Sequence, residues 1–164
     1  MTSLLQKAKN IYHLLQAHWW RMISGWPDRR LTLYGVTGTD GKTTTSYILG
    51  TLLREMHGAE HVGLLSTEIF WIGAKELKNE THMTTIPARL FFRYLRRMVD
   101  EGVTHAVLEM TSHALDQNRV AGVRLAGAII TNISHEHLDY HKTMREYARS
   151  KGRIVHYVRP TGVV

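Results

Sequence analysis

The strongest constraint on the fold is the order in which short apolar runs alternate with segments of helical periodicity from residue 31 onward. The apolar runs predict buried strands, because they are short and rich in β-branched side chains. The predicted strands cover residues 31–36, 103–110 and 126–133, with one or two more within residues 61–72. This alternation predicts an α/β fold with a mostly parallel sheet covered by helices on both faces, a three-layer αβα arrangement.

Three helices are predicted between and after these strands. The first covers residues 43–57 and ends at Gly58, a favoured residue just past a helix. The second covers residues 87–101 and starts with proline, which suits the first helical position. The third begins at Thr143, where Glu146 three residues later completes a capping-box pattern. The apolar faces comprise Ile48, Leu52 and Met56 in the first helix and Leu90, Tyr94, Leu95 and Met98 in the second.

Residues 1–30 form a separate segment that is rich in tryptophan and has apolar residues at helical spacing. The pattern predicts an amphipathic helix, with Asp28 as the one acid against five basic residues. Polar residues interrupt it too often for a spanning helix, and it lacks the small-residue cleavage site of a signal peptide. Two interpretations stay open: residues 1–28 lie on an anionic membrane surface, or they pack on this domain or another.

The composition narrows the class of protein. At 164 residues, the chain is long enough for one domain with a core of its own. It has no cysteine, which excludes disulfide scaffolds and thiolate metal sites and favours a reducing compartment. The net charge of +7 and the pI near 9.9 indicate an anionic partner, although a basic surface without a specific partner has the same composition. No nucleic-acid-binding signature accompanies the charge, so nucleic acid is not an expected partner.

A glycine-rich turn between the first strand and the first helix is the strongest functional motif. Its glycines let the backbone N–H groups point at phosphate oxygens, at the positive end of the helix that follows. Lys42 would neutralise phosphate charge, and the Thr43 hydroxyl would ligate Mg²⁺. The strict P-loop pattern has glycine where this chain has Val36, so the motif is a variant. Phosphate-binding loops serve several reaction classes, so this loop alone does not identify the reaction.

Polar residues at the other predicted strand ends are further candidates. Glu109 ends an apolar strand, and it would either ligate Mg²⁺ there or be a solvated terminal residue. Three histidines and two acids within residues 135–141 form a metal-site pattern, without a spacing diagnostic of zinc. The hydroxyls of residues 84, 85, 111 and 112 and the guanidinium of Arg119 are suited to phosphate, sugar or carboxylate contacts. Lys151, by its helical position alone, is expected to be exposed.

Three ordered motifs together resemble the Mur ligase family, and within it the tripeptide synthetases. They are the phosphate loop at residues 37–44, the segment 109–119 and the segment 131–141. The middle motif favours the tripeptide synthetases over the folylpolyglutamate synthases, which share the loop. The resemblance covers residues 31–153. It implies that residues 31–164 are part of a Mur ligase central ATP-binding domain with a P-loop, preceded by the helix of residues 1–30, with the family's carboxy-terminal domain absent.

The resemblance also implies roles for individual residues. Catalytic roles fall on Lys42, Glu109, His137 and Lys151. ATP would be bound by Gly38, Thr39, Asp40, Gly41, Lys42, Thr43 and Thr44. Mg²⁺ would lie near Thr43, Glu109, His137 and, if it is carbamylated as in family members, Lys151. The UDP-muramoyl peptide would contact Thr84, Thr85, Thr111, Ser112, Gln117 and Arg119. The chain departs from the family pattern at Asp40, where asparagine is usual, at Thr111, where serine is usual, and at Glu136, where aspartate is usual.

The activity implied by the resemblance is ATP-dependent ligation of an amino acid to UDP-N-acetylmuramoyl-L-alanyl-D-glutamate, through an acyl phosphate, in peptidoglycan precursor synthesis. ATP and Mg²⁺ are the implied cofactors, and the cytoplasm is the implied location, with membrane association left open by the first helix. Two alternatives remain. One is a nucleotide-binding module that does not catalyse ligation, and the other is a different Mur-like ligase such as a folylpolyglutamate synthase.

Overall fold

The computed structural model describes residues 4–134 and 143–164. In these residues the chain forms one sheet of seven strands, in the order β4-β3-β2-β5-β1-β6-β7. The strands are β1 (Thr32–Thr37), β2 (Val62–Leu65), β3 (Ile69–Ile72), β4 (Lys75–Lys78), β5 (His105–Glu109), β6 (Leu125–Ile130) and β7 (Val158–Val163).

The sheet is mostly parallel, as predicted. β1 is central and pairs in parallel with β5 on one side and β6 on the other, while β2 and β7 extend the parallel part. β3 and β4 are added antiparallel at one edge. In this register Val36 is opposite Glu109, and Thr37 is opposite Ile130. The carboxyl ends of β1, β5 and β6 therefore meet at one edge of the sheet, where ligands bind in folds of this kind.

Helices cover both faces of the sheet, which agrees with the predicted three-layer arrangement. The helices are α1 (Leu4–Ile23), α2 (Lys42–His57), α3 (Ala88–Asp100), α4 (Ser112–Asp116) and α5 (Met144–Gly152), with short 3-10 turns at Pro27–Arg29, Ala59–His61 and Arg153–Tyr157. The larger hydrophobic core includes Leu33 and Leu108 of the sheet and Phe92 of α3. The smaller core, on the opposite face, joins Val36 to Leu53 of α2.

Helix α2 packs on the sheet through a different face from the apolar one noted in the sequence. Its buried residues are Ser46, Gly50 and Leu53, whereas Ile48, Leu52 and Met56 are exposed. Gly50 explains why this face packs on the sheet, because a Cβ at this position would be 2.7 Å from the ring of Trp71. The helix approaches the sheet closely where it has its smallest side chain.

The other boundaries lie close to the predictions. Residues 61–72 contain two strands, β2 and β3, and α3 spans all but the ends of its predicted range. In α3, Leu95 and Met98 are fully buried, while Leu90 and Tyr94 are half-buried and pack against the larger core. The strands β4 and β7 were not predicted, because β4 is polar and exposed and β7 contains Pro160 and Gly162.

The first segment is a helix, as predicted, and one of its faces packs on α3. Ala17 is fully buried in the larger core, and Leu14 and Trp20 pack against that core. Arg21 forms a buried pair with Asp28 of the following turn, with two contacts of 2.8 Å each. Among the described residues, no helix combines the length and the apolar character needed to cross a membrane.

Candidate nucleotide site

The phosphate loop connects the end of β1 to the start of α2, as the sequence predicted. Gly38 and Gly41 have positive φ values of 154° and 76°, which favour glycine. At Gly38 there is also no room for a side chain, since a Cβ would be 1.8 Å from Oγ1 of Thr131. The loop conformation therefore requires glycine at position 38 for steric reasons and at both positions for the backbone.

The chain that follows β6 holds the loop in place. Oδ1 of Asn132 accepts hydrogen bonds from the backbone N–H groups of Thr39 and Asp40, at 3.1 and 2.9 Å. Thr131 donates through Oγ1 to the carbonyl of Asp40 at 2.6 Å, and the N–H of Ser134 donates to Oγ1 of Thr39 at 2.9 Å. Thr131 and Asn132 begin the third sequence motif, but the sequence assigned them no role, because their contacts are more than ninety residues away along the chain.

Two lysine side chains meet at the carbonyl of Gly38. The ammonium group of Lys42 donates to this carbonyl at 3.0 Å and to that of Thr39 at 2.5 Å. The ammonium group of Lys151 donates to the Gly38 carbonyl as well. Two positive charges therefore lie directly at the turn that is expected to bind phosphate, which is electrostatically suited to a polyanion.

Lys151 is buried, so the expectation of an exposed helix lysine was wrong. Its residue is 1% exposed, and its Nζ lies 4.6 Å from the ring centroid of Tyr147. Tyr147 and Lys151 are four residues apart on α5 and so share one helix face. That face is turned towards the loop, because the hydroxyl of Tyr147 lies 3.1 Å from Oγ1 of Thr39. Thr143 caps α5 by accepting from the N–H of Glu146 at 3.2 Å, as predicted.

Glu109 and Thr43 lie together beside the loop. The hydroxyl of Thr43 is 3.0 and 3.2 Å from the two carboxylate oxygens of Glu109. Thr67, which sequence reasoning missed, donates its N–H to Oε2 of Glu109 at 2.9 Å and places its hydroxyl 3.1 Å from Oε1. The carboxylate is therefore fixed between the start of α2 and the end of β2.

The surroundings of Glu109 fit a bound cation. The residue is 3% exposed, so it is not the solvated strand terminus that was the alternative. Among the described residues, its contacts are all neutral donors, and no ion pair within 4.0 Å includes it. A buried carboxylate without a positive partner is costly, and a hydroxyl and a carboxylate are oxygen ligands of the kind that Mg²⁺ prefers. Within residues 4–134 and 143–164, no group of three or more His, Asp and Glu residues forms a metal cluster.

Three of the proposed substrate residues lie next to Glu109. Oγ1 of Thr84 is 2.9 Å from Oγ1 of Thr67. Thr85 is buried and holds the turn after β5, since its hydroxyl accepts from the N–H of Thr111 at 3.0 Å and lies 3.2 Å from the carbonyl of Glu109. Thr111 caps α4 by accepting from the N–H of Ala114 at 3.2 Å. Threonine hydroxyls therefore connect the carboxylate to the start of α4.

Gln117 and Arg119 lie farther along, at the end of α4, beside α1. Nε of Arg119 donates to Oε1 of Gln117 at 2.9 Å. Burial and then the positive charge of Arg119 lower the pKa of His13 on α1. Ser112 is buried at the start of α4.

The remaining candidates differ in how far the structure describes them. Asp40 and Thr44 are exposed at the turn and at the start of α2. His137, and with it the cluster at residues 135–141, lies outside the described residues. The structure therefore brings together the loop, Lys42, Thr43, Glu109, Thr84, Thr85, Thr111 and Lys151.

Comparison with curated proteins gives ligases among the relatives of this chain. Over 138 residues the chain is 41% identical to the UDP-N-acetylmuramoyl-L-alanyl-D-glutamate--2,6-diaminopimelate ligase of Parabacteroides distasonis, a match that covers 84% of this chain and 27% of the relative. Over 129 residues it is 46% identical to the ligase of the same name from Corynebacterium glutamicum, covering 79% of this chain and 24% of the relative. The chain thus spans about a quarter of the length of these relatives.

Solved structures give the same fold. A structure of a UDP-N-acetylmuramoyl-L-alanyl-D-glutamate--2,6-diaminopimelate ligase matches with a TM-score of 0.68 and 29% identity, covering 85% of this chain and 30% of that one. E. coli FolC in complex with DHPP and ADP matches with a TM-score of 0.67 and 21% identity, covering 86% and 39%, which is a likeness of fold alone. Residues 36–164 match the Mur ligase middle domain. With that match over most of its length, and with the loop, Glu109 and Lys151 assembled at one edge of the sheet, the chain belongs to the Mur ligase family.

Proposed function

We propose that this chain carries the ATP-handling site of a ligase that adds an amino acid to UDP-N-acetylmuramoyl-L-alanyl-D-glutamate during peptidoglycan precursor synthesis. ATP and Mg²⁺ are the proposed cofactors. The proposal is supported by the family membership and by relatives whose names state this class of ligase. The observation that carries it is the meeting of Lys42 and Lys151 at the phosphate loop, next to the pair of Thr43 and Glu109.

In the proposed site, the loop from Gly38 to Thr44 binds the triphosphate of ATP. The amide groups at the start of α2 face the phosphates, and the helix dipole favours their negative charge. Lys42 now donates to two backbone carbonyls, which are weaker acceptors than charged phosphate oxygens. Its ammonium group would therefore move to the phosphates when ATP binds.

Thr43 and Glu109 are the proposed protein ligands of Mg²⁺, together with His137 and, if carbamylated, Lys151. When bound, the ion would neutralise charge on the phosphate oxygens. A carbamate on Lys151 would convert a buried cation into an anion, which suits a second Mg²⁺. Asp40, exposed at the turn, adds a negative charge near the phosphates and would weaken ATP binding relative to asparagine.

The proposed reaction has two steps. A carboxylate oxygen of the muramoyl peptide attacks the γ-phosphorus, the bond to the β-phosphate oxygen breaks, and ADP leaves. The amine of the amino acid then attacks the acyl carbon, the bond to the phosphate oxygen breaks, and inorganic phosphate leaves while the amine loses a proton. Lys42 stabilises the charge that develops on the transferred group, so its contribution is mainly electrostatic.

The muramoyl peptide is proposed to contact Thr84, Thr85, Thr111, Ser112, Gln117 and Arg119. Thr84 is the best supported of these, because it adjoins Thr67 and Glu109 at the edge of the site. Thr85 and Thr111 use their hydroxyls in contacts with backbone groups, so their main effect would be to position the turn. Because ATP and UDP-linked precursors are cytoplasmic compounds, we also propose that the chain acts in the cytoplasm.

Calorimetric titration with Mg·ATP tests the loop. Lys42→Ala removes the ammonium group that faces the phosphates, so the affinity should fall by at least about tenfold, which corresponds to about 1.4 kcal/mol. Lys78→Ala is the matched control, because Lys78 is an exposed lysine on β4 and its removal should leave binding unchanged. Equal affinity of the Lys42 variant and the wild-type chain would disprove the assignment of the loop.

The second candidate function is nucleotide binding without ligation. It would need only the phosphate loop and the pair of Thr43 and Glu109, because a phosphate-binding loop does not by itself determine a reaction. Incubation with ATP, UDP-N-acetylmuramoyl-L-alanyl-D-glutamate and an amino acid separates the two. Product detected by mass spectrometry would support ligation and exclude the second candidate, whereas ATP binding without any product would support the second candidate. Ligation of a folate substrate instead would support a folylpolyglutamate synthase, for which the comparison supports only the fold.

A further inference from the structure

The outer face of α1 is apolar and exposed. Helical spacing places Ile11, Tyr12, Leu15, Trp19 and Met22 on the side opposite the buried Ala17, and this set is called the outer stripe below. Leu15 is 64% exposed and Trp19 is 56% exposed. Large apolar side chains rarely stand together on a surface that meets only water. The outer stripe is therefore a surface that something else covers.

An open groove extends the outer stripe towards the turn after α1. It has a volume of about 630 Å³ and is lined by Tyr12, Leu15, Trp19, Met22 and Trp26, with two polar residues at its sides. Tryptophan and tyrosine are the residues enriched at membrane–water interfaces, because their rings are apolar and carry a polar group.

A basic pocket adjoins this groove. It is lined by Arg29, Arg124 and Arg159, has a volume of about 340 Å³ and includes one acid, Asp28. Asp28 is already neutralised by Arg21, with contacts of 2.8 Å. The guanidinium of Arg29 lies 4.7 Å from the ring centroid of Trp26, so the pocket and the groove meet at these two residues.

The charged side chains on the helix that carries the outer stripe are all basic. Residues 1–27 contain no acid, and Lys7 and Lys9 are exposed on the two flanks of the helix, at helical spacing from the outer stripe. Long basic side chains beside an apolar stripe can extend towards phosphate groups while the stripe enters the apolar layer. The exposed apolar face of α2 differs, because Glu55 lies among Ile48, Leu52 and Met56.

We infer that the outer stripe of α1 inserts into the surface of a bilayer that contains anionic lipid, with lipid phosphates bound at the basic pocket of Arg29, Arg124 and Arg159. This interaction surface lies apart from the nucleotide site and does not depend on the proposed ligation. A lipid bilayer is the occupant that offers an apolar layer directly beneath a layer of negative charge, which matches the groove and the adjoining pocket.

Sedimentation of the full chain with vesicles tests the inference. One set of vesicles is pure phosphatidylcholine, and the other has equal parts of phosphatidylcholine and phosphatidylglycerol. The variant Leu15→Gln/Trp19→Gln makes the outer stripe polar, and Arg124→Glu/Arg159→Glu reverses charge at the basic pocket. Ile48→Gln/Leu52→Gln is the matched control, since it makes the same kind of change on the exposed face of α2.

The wild-type chain and the control should bind the anionic vesicles, and both test variants should lose at least about tenfold in affinity. Binding should also weaken as salt is raised, because charge attracts the chain to the surface. Equal binding to pure phosphatidylcholine, no binding at all, or unchanged binding by the Leu15/Trp19 variant would overturn the inference. A wild-type dimer in sedimentation equilibrium that this variant converts to a monomer would instead assign the stripe to a second copy of the chain. Circular dichroism melting checks that each variant is folded, and single Leu15→Gln replaces the double variant if it is not.

Discussion

Two buried carboxylates at opposite ends of the molecule have different surroundings. Asp28, in the turn after α1, is 1% exposed and meets the guanidinium of Arg21 through two contacts of 2.8 Å. Glu109, at the carboxyl end of β5, is 3% exposed and is held by the hydroxyls and the N–H of Thr43 and Thr67. The first charge is neutralised by a partner in the chain, whereas the described residues give the second only neutral donors.

This difference indicates what each carboxylate contributes. A buried charge with a bidentate partner is neutralised and hydrogen-bonded by that partner, and the pair fixes the position of the segments that carry the two residues. A buried carboxylate that receives only neutral hydrogen bonds has no counter-charge of its own, and a bound cation would supply one. We therefore interpret Asp28 as structural, holding α1 against the turn that follows it, and Glu109 as a residue whose charge is available for Mg²⁺.

The largest effect is expected from breaking the neutralised pair. Arg21→Leu leaves the carboxylate of Asp28 buried and without its partner, so the free energy of unfolding should fall by about 3–5 kcal/mol. Urea denaturation measures this as a lower midpoint with an unchanged slope. Arg96→Leu is the control, because Arg96 forms an exposed pair with Asp100 and its loss should change the midpoint little.

A double substitution separates the charge effect from lost packing. In Arg21→Leu/Asp28→Leu both charges are gone, so most of the lost stability should return. If the double variant is as unstable as the single one, the cost comes from lost packing of the Arg21 side chain, whose guanidinium lies 4.6 Å from the ring centroid of Trp26, and Asp28 does not fix this region through its charge.

Glu109→Gln tests the other half of the comparison and should have a smaller effect on stability. The side chain keeps its shape and one acceptor oxygen, so without ligands the free energy of unfolding should change by no more than about 1 kcal/mol. The increase in ATP affinity that Mg²⁺ produces should become at least about tenfold smaller, because the anionic ligand of the ion is gone. Calorimetric titration with ATP at increasing Mg²⁺ concentration measures it. A loss of stability as large as that of Arg21→Leu, with Mg²⁺ dependence unchanged, would make Glu109 structural too.

The layered fold could be predicted because its signals are local. Each predicted strand is a short apolar run, and a glycine follows closely on each of the helices α2 and α3, at Gly58 and Gly102. The edge strands escaped prediction because an edge strand needs no apolar face, as the exposed sequence of β4 illustrates. The buried face of α2 could not be predicted, because it depends on Gly50 meeting the ring of Trp71, which lies on another strand.

The candidate site could be predicted where a motif carries its own chemistry, and not where it is built from distant contacts. The glycine turn and Lys42 were identified from their order along the chain. The hydrogen bonds of Thr67 to Glu109 and of Asn132 to the loop join residues that are 42 and more than ninety positions apart, so no local pattern shows them. Lys151 has an ordinary helical sequence context, and its burial at the loop depends on how α5 packs.

The smallest expected effect concerns the contact between α1 and the end of α4. Burial and then the charge of Arg119 lower the pKa of His13 from its ordinary value of 6.5. As the pH falls, His13 is therefore protonated in the unfolded chain before it is protonated in the folded chain. The stability that His13 contributes is present above about pH 6.5 and is lost as the pH falls towards its pKa in the folded chain. The urea midpoint should decrease between pH 7 and pH 5, and His13→Gln should make that decrease smaller.

His18→Gln is the matched control, because it removes an exposed histidine from the same helix. The slope will not disappear in the His13 variant, because burial and the charges of His57 and His61 also lower the pKa of His105. If the His13 and His18 variants behave alike, the contact of α1 with Arg119 does not depend on protonation. In that case the electrostatic part of the attachment of α1 comes from the buried pair of Arg21 and Asp28, which adds to the apolar packing of Ala17, Leu14 and Trp20 on the core.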